Sequence, residues 1–362
     1  MLNNVPTIST TQAIGLIKDC AKVRNMGHDE SFTGMPVLLL GNAGCGKTYA
    51  SKAAARELSV EQGRDWQYTD VPVMHYSPTE IGGARTIPPD GSDWLKHYFP
   101  DWVRHLDPSR PAIINLDEVT KCPLAVRNSI LGGLQERRFG EYECGKEWLF
   151  VLTGNLATAK AGDTDNPSPM RSRVATALVQ NTCAQWLESF AIPQNLHYSV
   201  TSFIKAHAGN PQFEKYPAGP LSTWDPAENP AAYACERSLT NLANVADSGV
   251  DVRLLAPAIV GREVGDLYVQ HCEMLADIPD IDRIKTDPAG CPVPDDIMTC
   301  HYVGNLVAYW ADRQSMPAVA TYLRRMPAEC AVVAMTEVVQ RHPECKETQA
   351  YIQFRLEYKL SL

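Results

Sequence analysis

The stretch MPVLLLGNAGCGKT, residues 35–48, constrains this chain more tightly than any other. Val37 to Leu40 make a continuous apolar run suited to a buried strand, the pattern G-x-x-x-x-G-K-T follows, and TYASKAAAREL continues in helix formers. Strand, glycine loop and helix in that order are the setting a phosphate-binding loop requires. Gly41, Gly44 and Gly46 let backbone N–H groups curl around phosphate oxygens, with Asn42, Ala43 and Cys45 completing the loop, and the positive end of the next helix points at the same anion. Lys47 is placed to give a charge to the β- and γ-phosphates, and the Thr48 hydroxyl suits Mg²⁺. ATP with Mg²⁺ is therefore the expected ligand, and the alternative is a plain glycine turn before an ordinary helix.

A second apolar run, PAIINLDEV, reads as a buried strand from Ala112 to Leu116 ending in two acids. Asp117 at the strand end is expected to hold Mg²⁺ through water, and Glu118 to polarise the attacking water. The same two acids would also suit the cap of a following helix. A third strand, EWLFVLTGN, ends on Asn155. A polar residue at the carboxyl end of a central parallel strand faces the ligand crevice, so Asn155 is placed to orient water between Glu118 and the γ-phosphate. After Gln180 the pattern turns helical, with apolar residues at helical spacing in LHYSVTSFIKAH and in three C-terminal stretches. The stretch DIPDIDRIKTDPAGCPVPDD between them reads as a linker by its Pro and Asp content.

The ordered set GNAGCGKT, IINLDE and TGN resembles the ATPase core of the AAA+ superfamily. More narrowly it is similar to the MoxR group of chaperone-like remodelling ATPases, over roughly residues 8–275. The resemblance implies an α/β fold: a P-loop NTPase three-layer αβα core with a parallel sheet over residues 1–182, an all-α lid over 183–275, and a C-terminal helical extension over 276–362. It also implies two inserts, a helix-2 insert near residues 82–93 and a pre-sensor-1 hairpin in FGEYECGKEW, whose loops line a pore or touch substrate in the family. Ser172-Arg173-Val174 resembles the arginine-finger stretch, so Arg173 is expected to reach a neighbouring subunit's γ-phosphate, with Arg171 as the second candidate. Glu236-Arg237-Ser238 stands where the family commonly has Pro-Arg-Ser, which makes Arg237 the sensor-2 candidate, although the proline is missing. The N-terminal helix in TISTTQAIGLIKDCAKVRN, with Ile14, Ile17 and Ala21 on one face, is suited to closing over adenine. A homo-oligomeric ring, a hexamer by analogy, and a protein client follow from the same resemblance. The partner it implies carries a von Willebrand factor A domain.

A formal net charge of -9 argues against a polyanion as the main partner. The rival reading is a nucleic-acid-dependent motor, with Arg85, Lys96, Arg137, Arg138 and Lys146 in or beside the inserts as its basic surface. Their acidic neighbours Asp90, Asp93, Glu141, Glu143 and Glu147 largely cancel that charge. A third reading is a nucleotide-switched scaffold that seldom turns over, and intact Lys47, Asp117 and Glu118 speak against it. The eleven cysteines are odd in number and lack any C-x-x-C pair, so they read as reduced, buried thiols rather than a disulfide framework or a zinc site. No apolar run approaches the roughly 18–20 residues that cross a bilayer, and a cytoplasmic, membrane-free protein is expected.

Overall fold

A computed structural model resolves the chain into two units, Met1–Gln180 and Asn181–Leu362, and describes residues 5–23, 33–88, 96–156, 172–207, 223, 231–276 and 278–359. The strands of the first unit are, in chain order, β1 (Thr7–Ile8), β2 (Val37–Leu40), β3 (Gln67–Pro72), β4 (Ala84–Thr86), β5 (Lys96–Tyr98), β6 (Ala112–Asp117), β7 (Arg138–Phe139), β8 (Tyr142–Glu143), β9 (Trp148–Gly154) and β10 (Ala175–Val179). Six of them form one sheet in the order β1-β10-β2-β9-β6-β3, every neighbouring pair parallel.

Alternation along the central strands sets the layers, because successive side chains point to opposite faces. Leu38 and Leu40, Ile114 and Leu116, and Phe150 and Leu152 pack on one face with Val126, Ile130 and Leu134 of α4 (Leu124–Glu136). Val37 and Leu39, Ile113, and Leu149 and Val151 pack on the other with α1 (Thr10–Lys22) and α2 (Lys47–Gln62). A parallel sheet must be covered on both faces, which is why its strands read as unbroken apolar runs. The result is a three-layer αβα arrangement. Ser9 starts α1 through a reciprocal capping box with Gln12, and the buried stripe takes in Ala13 and Cys20 as well as Ile14, Ile17 and Ala21.

Between the glycine loop and PAIINLDEV, the run DVPVMHYS suggests a further strand, but β3 lies slightly earlier: it ends at Pro72, which has no N–H to continue a ladder, and Val73–His75 make a 3₁₀ turn before the short α3 (Pro78–Gly82). The first insert holds β4, which pairs antiparallel with β5 just beyond it, and the second holds the antiparallel pair of β7 with β8. Residues 89–93 of the first insert lie outside the described residues. The two pairs touch one another, since the Phe99 and Tyr142 rings meet edge-on at 5.1 Å and a side chain at Gly140 would collide with the His97 ring.

Among its described residues the second unit is all helical: α5 (Cys183–Trp186), α6 (Tyr198–His207), α7 (Glu236–Asp247), α8 (Val252–Val260), α9 (Arg262–Leu275), α10 (Ile281–Thr286), α11 (Ile297–Trp310), α12 (Met316–Leu323), α13 (Ala328–Arg341) and α14 (Gln349–Tyr358). The stretch read as a linker is not a bare connection. It holds α10, and its Ile284 and Cys291 are fully buried in an apolar cluster with α11 to α14. The middle one of the three C-terminal stretches, MPAVATYLRRMPAECAVVAMTEVVQRH, whose apolar spacing suggests a single helix, is two. Pro327 lacks the N–H an uninterrupted helix would need and instead opens α13. Gly265 of α9 lies so close to Pro257 of α8 that a Cβ there would sit 2.4 Å from the Pro257 Cα, so only glycine allows the two backbones to meet. All eleven cysteines are free, ten of them buried and Cys272 half-buried. Among the described residues no helix is long and apolar enough to cross a membrane.

Candidate phosphate site

Parallel pairing brings the carboxyl ends of β2, β9 and β6 side by side, and the loops leaving those ends carry the polar residues. After β2 the chain turns through Gly44 (φ 84°) and Gly46 (φ 87°), left-handed conformations that cost glycine nothing, and enters α2 at Lys47. A Cβ at Gly41 would lie 2.7 Å from the Val179 carbonyl oxygen of β10 and 2.8 Å from Cys45 Sγ. The loop is thus pressed against its neighbours at one point and free to curl at two others.

Lys47 is 8% exposed. Its ammonium donates to the carbonyl oxygens of Gly41 (3.0 Å) and Asn42 (2.7 Å) and to Asn155 Oδ1 (3.2 Å). These acceptors are neutral, as is Cys45 Sγ at 3.8 Å, and among the described residues it pairs with no carboxylate. A desolvated cation surrounded only by dipoles, at a helix N-terminus, is the charge complement of an anion.

Beside it, Asp117 Oδ1 faces the Thr48 hydroxyl at 3.4 Å and accepts a hydrogen bond from Thr153 Oγ1. Thr153 is a residue that sequence reading overlooked. Its hydroxyl donates to Asp117 and accepts the Glu118 N–H at 3.3 Å, so one side chain of β9 orients both acids. Asn155 is set by its N–H, which donates to Thr120 Oγ1 at 3.1 Å, and a Cβ at the preceding Gly154 would collide with Thr120. Behind these residues Ser51 Oγ donates to Asn115 Oδ1 (2.9 Å) and Asn115 Nδ2 donates to Asp70 Oδ1 (2.7 Å), tying α2 to β6 and β3. Desolvation raises the Asp70 pKa, the Asn115 amide pulls it back, and the nearby Asp117 charge raises it further.

Glu118 departs from the sheet: its backbone is left-handed at φ 59°, ψ 38°, uncommon for a side chain of this kind. It makes no side-chain cap hydrogen bond; its carboxylate instead pairs with Lys121 at 2.7 Å, both groups about one-third exposed. Lys121 too was missed, for the pairing depends on that turn.

The arginines lie elsewhere. Arg173 is exposed, two residues before the start of β10, and Ala175 pairs with Val37, the first residue of β2. It therefore lies at the amino end of the sheet, six register positions, or about 20 Å, from the start of the phosphate loop. Arg171 falls outside the described residues. Arg237 is exposed in the first turn of α7, in the second unit. Arg137 cannot serve a basic surface: it is 2% exposed, donates to the carbonyl oxygens of Thr33 (3.2 Å) and Trp148 (2.7 Å), and its guanidinium packs over the Phe150 ring. Arg138 is exposed and donates to the Gly140 carbonyl oxygen.

The family model described as AAA domain (dynein-related subfamily) matches residues 36–180. No curated protein matches the chain. Among solved structures it is similar to NtrX from Brucella abortus, at 13% identity and a TM-score of 0.40 over 96% of this chain and 67% of that one. It is also similar to PCH-2 of C. elegans, at 14% identity and a TM-score of 0.35 over 75% and 71%.

Proposed function

We propose that this chain is an AAA+ ATPase similar to the MoxR group, which hydrolyses ATP to remodel or activate a partner protein while working as a cytoplasmic homo-oligomeric ring. The observation that carries the reading is the buried Lys47 ammonium held by neutral oxygens beside Thr48, Asp117 and Asn155; the AAA-domain match over the same residues supports nucleotide binding. The donor set fits the ligands. Lys47 and the loop N–H groups from Gly41 to Gly46 would hold the phosphates. Thr48 and Asp117 offer hard oxygens to Mg²⁺, and Asp117 Oδ2 has no protein partner among the described residues. The ion, when bound, neutralises charge on the transferring phosphoryl group.

In this reading Glu118 accepts a proton from the attacking water, Asn155 orients that water with the amide hydrogens its Lys47 contact leaves available, and Thr153 keeps both acids in register. Arg173 completes the site of a neighbour. Its place at the far end of its own sheet supports a role in trans, because a side chain about 20 Å from its own loop cannot reach the phosphate that loop holds. We assign residues 183–275 to a lid that carries Arg237 as sensor 2, and residues 276–362 to an extension packed on it. The touching inserts, with exposed Ile87, Tyr98 and Phe99, offer an apolar face to a protein client. A client with a von Willebrand factor A domain fits the MoxR likeness. The nucleic-acid motor is the weaker reading, since burial of Arg137 removes a charge from the surface it needs.

The test is complementation. Glu118→Gln and Arg173→Ala are each expected to be inactive, and an equimolar mixture to regain ATP hydrolysis, as an intact finger meets an intact acid across an interface. A mixture that stays inactive while its subunits demonstrably exchange would exclude Arg173 as the trans residue.

A further inference from the structure

The second unit holds a cavity of about 390 Å³ between α6, α11 and α13, of a size that small-molecule sites commonly have. Its walls are largely apolar, with Met298, Tyr302 and Val333 among them, and its floor is charged. There Lys205 of α6 donates to Asn305 Oδ1 of α11 and to Glu337 Oε2 of α13. The Glu337 carboxylate is 4% exposed, and its other oxygen is held by Arg341, whose side chain is fully buried, at 2.8 and 2.9 Å. The remaining acceptors around Arg341 are neutral: Asn195 Oδ1, the Leu196 carbonyl oxygen and Thr201 Oγ1.

Two cations thus share one carboxylate. The next acid toward Arg341, Asp247, is exposed and separated from it by the Tyr309 ring, to whose hydroxyl it is bonded. Glu329, which acts on Cys330 at another part of the lining, is eight residues before Glu337 on α13, about 12 Å along the helix. His271, behind Ser202, is kept neutral by burial and adds no charge. One positive charge is left over, and it reaches the cavity through the Lys205 ammonium. That side chain is 30% exposed and spends two of its three N–H groups inside the protein.

We infer that this cavity is a binding site for a carboxylate on an apolar stem, the acid seated on Lys205 and the stem between Met298, Tyr302 and Val333. The chemistry fits either a free small organic acid or the C-terminus of a polypeptide. It is independent of the phosphate site, and failure of either assignment leaves the other standing.

Calorimetric titration of the full chain with hexanoate and with hexan-1-ol tests the inference. Hexanoate should bind one per chain, and hexanol, which keeps the stem and loses the charge, roughly 10- to 100-fold more weakly. Lys205→Met should weaken hexanoate by the same factor and Lys205→Arg should restore it. If Lys205→Met does not fold, Val333→Trp at the exposed rim should block hexanoate instead. Acetyl-Ala-Val-Leu, as free acid and as amide, separates the sources: an acid form tighter than hexanoate identifies a polypeptide C-terminus, and one weaker identifies a free small acid. Equal affinities for hexanoate and hexanol, no saturable hexanoate binding, or hexanoate binding indifferent to a folded Lys205→Met variant would each overturn the site.

Discussion

Two lysines, one in each unit, keep opposite company. Lys47 is ringed by neutral groups, carbonyl and amide oxygens and the Cys45 sulfur, at the mouth of a loop whose glycines expose backbone N–H groups. Lys205 shares a buried carboxylate with an arginine, between packed helices. The contrast teaches how to read a buried cation. Where every partner is a dipole, the counter-charge must come from a ligand, and the residue contributes little to holding the fold. Where a carboxylate is already present, the cations also tie packed helices together, and removing one breaks a buried pair, so the fold suffers.

That contrast can be broken in order of effect. Lys47→Ala should abolish ATP hydrolysis and nucleotide binding while leaving the thermal midpoint of the nucleotide-free protein nearly unchanged; a large loss of stability would mean Lys47 is structural after all. Arg341→Met should do the reverse. Unfolding by denaturant should show about 3 kcal/mol less stability, the low end for breaking a buried pair because Lys205 still faces Glu337. Nucleotide binding at the first unit should persist. Thr153→Val, which keeps the shape and removes the hydroxyl bridging Asp117 and Glu118, should lower kcat roughly 10- to 100-fold, as other residues that orient metal ligands do. Equal kcat in that variant would remove Thr153 from the site.

The smallest effect is on acid stability. Burial lowers the His271 pKa to about 4, whereas the unfolded chain takes up its proton near 6.5. Between those values the unfolded state binds more protons, so stability falls as pH falls. From neutrality to about pH 5 the loss should be about 1–2 kcal/mol, and it should vanish in His271→Asn.

Much of the first unit was legible because a single motif carried both the fold and the contact. The apolar run into GNAGCGKT predicts β2, the glycine loop and α2, and parallel pairing then places Lys47 beside Asn155 and Asp117. Thr153 was legible in principle: it stands two residues before Asn155, which follows directly on the end of β9, and alternation along the strand puts the two on one side. Lys121 was not, because its pairing with Glu118 follows from a left-handed turn that no local pattern announces. Arg137 looked like surface charge in a hairpin flank, yet it too has a positive φ, of 56°, and turns inward onto Phe150. In the helical unit the apolar stripe ran on through Pro327 and hid the break between α12 and α13, although a proline with no N–H could have announced it. The burial of Ile284 and Cys291 was hidden in a stretch whose prolines and aspartates look like a linker, since two apolar residues make no period.

The far-end position of Arg173 also has a consequence for how the protein behaves in a tube. If one chain carries the loop and its neighbour the finger, catalytic competence belongs to the interface, and the interface forms by mass action. Specific activity would then not be a constant of the molecule. It would fall on dilution below the assembly constant and recover on concentration, with a slope that reports how many chains must meet before one ATP is cleaved.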